Sequence, residues 1–113
     1  MHELSIALSI VEIAEEEISK AGRAGAEEIV LEIGSLAGVD TQALDFAWKE
    51  AVLNTVLEKA ACLIETIAGK ARCLNCNSVF ELSFLYDPCP FCQDFRKELL
   101  QGKEIRIKSI AII

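Results

Sequence analysis

Cys73-Leu74-Asn75-Cys76 and Cys89-Pro90-Phe91-Cys92 stand twelve residues apart in a chain of 113 residues. Two cysteines separated by two residues can both face one ion across a tight turn. Two such turns supply a closed tetrahedral set of four thiolates. The usual template for this site has a longer spacer, yet twelve residues allow a short strand out, a turn at Tyr86-Asp87-Pro88 and a return. Phe80, Leu82 and Phe84 alternate as that short strand. Four thiolates leave no open coordination position, so the site reads as structural rather than catalytic. Zinc is the default metal, and iron shares the geometry.

Working outward, Leu63 to Ala68 read as a strand that runs on through Lys70-Ala71-Arg72 into the first cysteine pair. Phe95 to Gln101 is either a loop or a short helical turn. Ile105 and Ile107 alternate with Arg106 and Lys108 in a final strand, and the alternation slips after Ser109, which predicts a bulge or burial on both faces. Towards the N-terminus, Leu4, Ala7, Leu8, Val11, Ala14 and Ile18 recur at helical spacing over residues 3–21, and Ile6, Ile10 and Ile13 widen the apolar stripe. Glu15-Glu16-Glu17 is a solvated face. Gly22 is placed to end that helix. Ile29, Leu31 and Ile33 alternate as a strand, and Gly34 and Gly38 supply turn geometry after it. Asp40 or Thr41 caps a second helix whose inner face carries Leu44, Ala47, Trp48, Ala51 and Val52. The expected fold is α+β: a small three-stranded sheet covered by two helices, with an inserted four-cysteine, zinc-ribbon-like lobe. The expected division is residues 1–69 plus 103–113 as one α/β domain and residues 70–102 as the metal lobe.

Composition narrows the function. Hydrophobic residues make up 52% of the chain, ample for one core, and the net charge is −7. A nucleic-acid binder of this size carries a basic patch, so that class of partner is disfavoured. No apolar run is long enough to cross a membrane. There is no basic segment of signal-peptide type at the start, so a cytoplasmic location is expected, and there the cysteine pairs read as metal ligands rather than disulfides. Cys62, the fifth cysteine, reads as a buried core thiol. The sole histidine is His2, and no triad or open metal site is present, so no enzymatic activity is expected. His2 has a second reading. The Met1 amine, the His2 backbone nitrogen and the His2 imidazole can close adjacent chelate rings on one ion, and such nitrogen sets suit Ni(II) or Cu(II). Glu3 adds a carboxylate or its backbone nitrogen, and Asp40 could approach from the second helix. Two other readings of the cysteine motif stay open: a zinc-ribbon module for nucleic acid or protein, and a rubredoxin-like iron electron carrier.

Met1-His2-Glu3-Leu4-Ser5-Ile6 resembles the opening motif of the HypA/HybF family of hydrogenase-maturation nickel metallochaperones. The resemblance continues through Glu32-Ile33-Gly34-Ser35-Leu36-Ala37-Gly38-Val39, Leu44-Asp45-Phe46-Ala47-Trp48, Lys70-Ala71-Arg72-Cys73, Cys89-Pro90-Phe91-Cys92 and Gly102-Lys103-Glu104-Ile105-Arg106-Ile107-Lys108-Ser109-Ile110. It implies a nickel site at Met1 and His2 with Glu3 beside it, and a structural zinc at Cys73, Cys76, Cys89 and Cys92. It also implies delivery of Ni(II) to the large subunit of [NiFe]-hydrogenase together with an accessory nickel GTPase; some relatives serve urease. Two departures stand out. The family's second cysteine pair is usually followed by Gly, often Gly-Ser, where this chain has Gln93-Asp94; a left-handed backbone there suits Gly better than Gln, so a looser or differently shaped second knuckle is expected. Some relatives also carry a histidine near the cysteines, and this chain has none.

Overall fold

Alternation of Ile29, Leu31 and Ile33 along β1 (Ala26–Gly34) puts three branched side chains on one face, and the larger lobe is built over that face. The structure, a computed structural model, describes residues 2–113. β1 is the central strand. β2 (Ala61–Ile67) pairs with it in parallel, and β6 (Ile105–Ile112) pairs antiparallel on its other side. The parallel pair requires a crossover, and α2 (Thr41–Ala51) supplies it. α1 (Glu3–Lys20) lies beside α2, and both helices pack on the Ile29, Leu31 and Ile33 face. Burying each of these side chains contributes about 1.5–3 kcal/mol. The two-helix, three-stranded arrangement matches the expectation from sequence.

Helix ends follow their capping residues. Asp40, not Thr41, is the N-cap of α2: its Oδ1 accepts from the Gln42 and Ala43 N–H groups at 3.0 and 3.2 Å. Gly22 takes φ +70 after α1, and its N–H and that of Arg23 donate to Ser19 and Ile18, a Schellman closure. The buried residues of α1 are Ile6, Ala7, Ile10, Val11, Ala14 and Ile18. Leu4 and Leu8, assigned by spacing to the inner stripe, are 42% and 50% exposed. A single sheet face and one neighbouring helix cover only part of so wide a stripe.

Three expectations need correction. The strand leading into the first cysteine pair is broken at Ala68. Its second part, β3 (Gly69–Cys73), belongs to a separate sheet of order β4-β3-β5. β4 (Val79–Leu82) stops before Phe84, which is exposed in the following turn, because Ser83 and Phe84 N–H groups donate to Asp87 Oδ2 at 3.0 and 3.1 Å and bend the chain away. Residues 95–101 are neither loop nor helix at their C-terminal end: β5 (Lys97–Gln101) pairs antiparallel with β3. The slip in β6 is a bulge, since Val30 faces Ser109 while Leu31 faces Ile107, leaving Lys108 as the extra residue.

The second sheet has a small core of its own. Ala71, Cys73, Phe80, Leu82 and Cys89 are buried, with Leu36, Cys92 and Leu99 against them. So few apolar side chains cannot offset the ordering entropy of three short strands. A bound ion would supply the difference.

Candidate metal centre

The four cysteine sulfurs lie within 4.8 Å of one another. Cys73 and Cys92 Sγ are 3.5 Å apart, and Cys76 and Cys89 Sγ are 3.7 Å apart. A tetrahedron with metal–sulfur bonds of about 2.3 Å has edges of about 3.8 Å. The sulfurs therefore already stand near the separations that a single tetrahedral ion requires, and all four positions are filled by protein.

Two backbone turns of the same form hold them. In the first, Cys73 N–H donates to Ser78 O at 2.8 Å and Asn77 N–H to Cys73 O at 3.0 Å. In the second, Cys89 N–H donates to Asp94 O at 2.9 Å and Gln93 N–H to Cys89 O at 2.8 Å. Each turn aims two N–H groups at its leading sulfur: Asn75 and Cys76 at Cys73, Phe91 and Cys92 at Cys89. Such donors offset thiolate charge and orient the ligand. Each turn also needs a left-handed residue after its second cysteine, and Asn77 and Gln93 take φ +63 and +67. Gln93 thus adopts the shape that Gly would, which corrects the expectation of a differently shaped second knuckle.

The environments of the sulfurs differ. Burial pushes the Cys89 thiol up, against the pull of the Phe91 and Cys92 N–H groups. The Ser78 hydroxyl, 3.4 Å from Cys76 Sγ, draws the Cys76 thiol down. Asn75 Nδ2, 3.5 Å from Cys92 Sγ, does the same for Cys92. Behind the second turn, Arg96 grips Asp94 through Nε at 3.1 Å and Nη2 at 2.9 Å, and holds its carboxyl down at about 2.

The N-terminal candidates are placed differently. Met1 lies outside the described residues. His2 is exposed and is the N-cap of α1, its carbonyl accepting from the Ile6 N–H at 3.2 Å. Glu3 Oε2 accepts the Asp40 N–H at 3.3 Å. The start of α1 is thereby tied to the start of α2. Among the described residues the four cysteines are the one group of three or more His, Cys, Asp or Glu donors placed to hold an ion. Asp40 keeps its carboxylate on its own helix cap.

Cys62 is not a ligand in that group. It is half-buried on β2 rather than fully buried, at the margin of the main core and facing a cleft beside Asp45; burial first and the Asp45 charge second push its thiol up to about 11. Among the described residues, its strand β2 stands at the edge of the sheet.

The symmetry of the two turns was half legible in the spacing. The pairing of Glu3 with Asp40, 37 residues away, carried no local signal.

Comparison with known proteins agrees with this geometry. The family model described as hydrogenase/urease nickel incorporation, metallochaperone, HypA matches residues 1–112. A hydrogenase maturation factor HypA from Parabacteroides distasonis is 46% identical over 112 residues, covering 99% of this chain and 97% of that protein. One from Geotalea daltonii is 40% identical over 113 residues, with both chains covered completely. The solution structure of the Ni metallochaperone HypA from Helicobacter pylori superposes with a TM-score of 0.72 at 25% identity, covering 100% of this chain and 98% of that one. The family is one of metallochaperones, which carry a metal rather than transform a substrate. With its helices, both sheets and the cysteine cluster included in the matched span, the chain belongs to the HypA family of hydrogenase/urease nickel incorporation metallochaperones.

Proposed function

We propose that this chain carries Ni(II) at its N-terminus and delivers it to the large subunit of a [NiFe]-hydrogenase during maturation, acting with an accessory nickel GTPase in the cytoplasm. Residues 1–69 plus 103–113 form the nickel-binding domain. Residues 70–102 form a lobe held by a structural zinc on Cys73, Cys76, Cys89 and Cys92. The zinc supplies folding free energy to that lobe.

The observation that supports this most directly is that the four-thiol cluster is closed. Its own side chains fill every tetrahedral position, so a cargo ion needs another donor set, and no second cluster of three side-chain donors exists among the described residues. A terminal chelate built on nitrogen needs no such cluster. Met1 contributes its amine, and His2 its backbone nitrogen and imidazole. His2 and Glu3 lie at the start of α1, where backbone N–H groups lack partners within the helix. The positive ends of two helices meet there, which disfavours a bare dication. Deprotonated amide nitrogen and the Glu3 carboxylate offset that, and leave the ion held by few side chains that a recipient can displace. Asp40, at the same place, keeps its Oδ1 on the cap of α2.

The cysteine lobe itself does not favour nucleic acid: Lys70, Arg72, Arg96 and Lys97 are balanced by Glu81, Asp87, Asp94 and Glu98. Chains of this composition lack the basic surface that releases counterions. No described helix is long and apolar enough to cross a membrane.

The test is nickel titration of protein with a native N-terminus, against His2→Ala and against protein acetylated at its amine. Both changes are expected to abolish the specific nickel site and leave zinc content unchanged. Full nickel affinity in acetylated His2→Ala protein contradicts the assignment.

A further inference from the structure

Three chain segments meet where the lobes join, and each brings a glycine there. A Cβ on Gly34 would fall on the Gly102 carbonyl; one on Gly102 would lie 2.8 Å from Gly69 Cα. The side chain of Leu36 fills the remaining space, since a Cβ on Gly69 would stand 2.6 Å from Leu36 Cδ1 and one on Gly102 2.8 Å from it. Leu36 comes from the loop after β1 but packs into the core of the cysteine lobe. Its N–H donates to Gly102 O at 2.7 Å, Ser35 N–H donates to Ile67 O at 2.8 Å, and Gly69 N–H donates to Ser35 Oγ at 3.2 Å.

From this anchor the chain needs four more residues to reach Asp40. Ala37 N–H closes on Gly34 O at 3.1 Å, Gly38 turns with φ +74, and Val39 packs on the main core. Asp40 then caps α2 and gives its N–H to Glu3. We propose that Leu36 is a positioning residue for the nickel terminus: seated in the Gly34–Gly69–Gly102 seam, it fixes the loop that sets Asp40, and through the Asp40 N–H the Glu3 carboxylate beside His2. The proposal rests on the terminal nickel site described above.

The experiment compares zinc-loaded, untagged Leu36→Ala, Leu36→Met, Leu99→Ala and His2→Ala proteins with wild type. Nickel titration is read together with zinc content and amide exchange at Asp40. Leu36→Ala is expected to bind nickel about fivefold more weakly, the effect of losing one ordering hydrogen bond. Its Asp40 amide exchanges faster and its zinc content is unchanged. Leu36→Met behaves as wild type. Leu99→Ala, which thins the same lobe core at the β3–β5 pairing, three residues before Gly102, leaves nickel affinity unchanged. Should Leu36→Ala lose zinc, Leu36→Val is read in its place and is expected to show the same direction. Wild-type nickel affinity and Asp40 exchange in the seam variant, or equal weakening in Leu99→Ala, overturns the proposal. His2→Ala separates the two readings: if it too binds nickel normally the terminal site is wrong, whereas loss of nickel binding in His2→Ala beside an unaffected Leu36→Ala overturns the positioning role of Leu36 alone.

Discussion

Gln93 and Asn77 occupy the same position in two matching turns and share one backbone conformation, φ +67 and +63. The first residue is a poor choice for that conformation and the second an acceptable one. The closed hydrogen-bond pair in each turn, N–H of Gln93 to Cys89 O and N–H of Asn77 to Cys73 O, enforces the shape in both.

It follows that Gln93 stores strain that Gly would relieve. Gln93→Gly is expected to stabilise the metal-bound lobe by about 1 kcal/mol, seen as slower zinc loss to a chelator. Gln93→Val, β-branched, is expected to speed that loss. Slower release from the Val variant than from wild type contradicts the account.

The lobe's core of five buried residues predicts a split response to losing a ligand. Cys89→Ser is expected to release the ion, removing on the order of 10 kcal/mol of binding free energy. The NMR resonances of β3, β4 and β5 then collapse while those of β1, β2 and β6 persist. Cys62→Ala, by contrast, keeps its metal. Loss of both sheets together in Cys89→Ser protein counts against two separately supported lobes.

What the sequence disclosed, and what it withheld, divides by the range of the determining contact. The cysteine turns and the closure at Gly22 are local and could be read directly; the cap of α2 could be read to within one residue, Asp40 or Thr41. Lys97-Glu98-Leu99-Leu100-Gln101 has no local preference that separates strand from helix, and pairing with β3 decides it. Ala68-Gly69 looked like the middle of one long strand because Ile67 and Ala71 are both apolar. The break follows from where Leu36 and Gly102 sit, 33 residues away on either side of Gly69. At the nickel end, His2 was legible by type, but its surroundings depend on the Glu3–Asp40 hydrogen bond.

Asp40 serves as a helix cap, so Asp40→Ala is expected to cost about 1 kcal/mol of stability. Asp40→Asn keeps the cap and costs little. Nickel titration of the Asn variant then asks whether the carboxylate binds metal: affinity is expected to stay within about twofold of wild type, because the acceptor oxygen is already engaged by Gln42 and Ala43 N–H groups. A tenfold loss assigns Asp40 as a ligand.

Arg96 holds Asp94 at about 2, below its ordinary value of 3.8. A carboxyl with a depressed folded-state pKa contributes stability that is complete above its unfolded value and fades as pH falls through the folded one. For Asp94 that window runs from about 4 down to 2. On acidification from neutrality the turn behind Cys89 and Cys92 therefore stays braced while the thiolates take up protons, and metal release is set by the thiolates. Arg96→Gln removes the brace and is expected to release zinc at a higher pH, followed with a zinc-indicator dye. Release at an unchanged or lower pH contradicts this role.

The central claim is a division of labour between a closed sulfur site and a nitrogen-rich terminus. X-ray absorption at both metal edges, on untagged protein loaded with one zinc and one nickel, tests it most directly. The zinc edge is expected to show four sulfurs at about 2.3 Å, and the nickel edge nitrogen and oxygen donors with an imidazole signature that His2→Ala removes. Sulfur scattering at the nickel edge would place the cargo on the cysteine lobe and contradict the account.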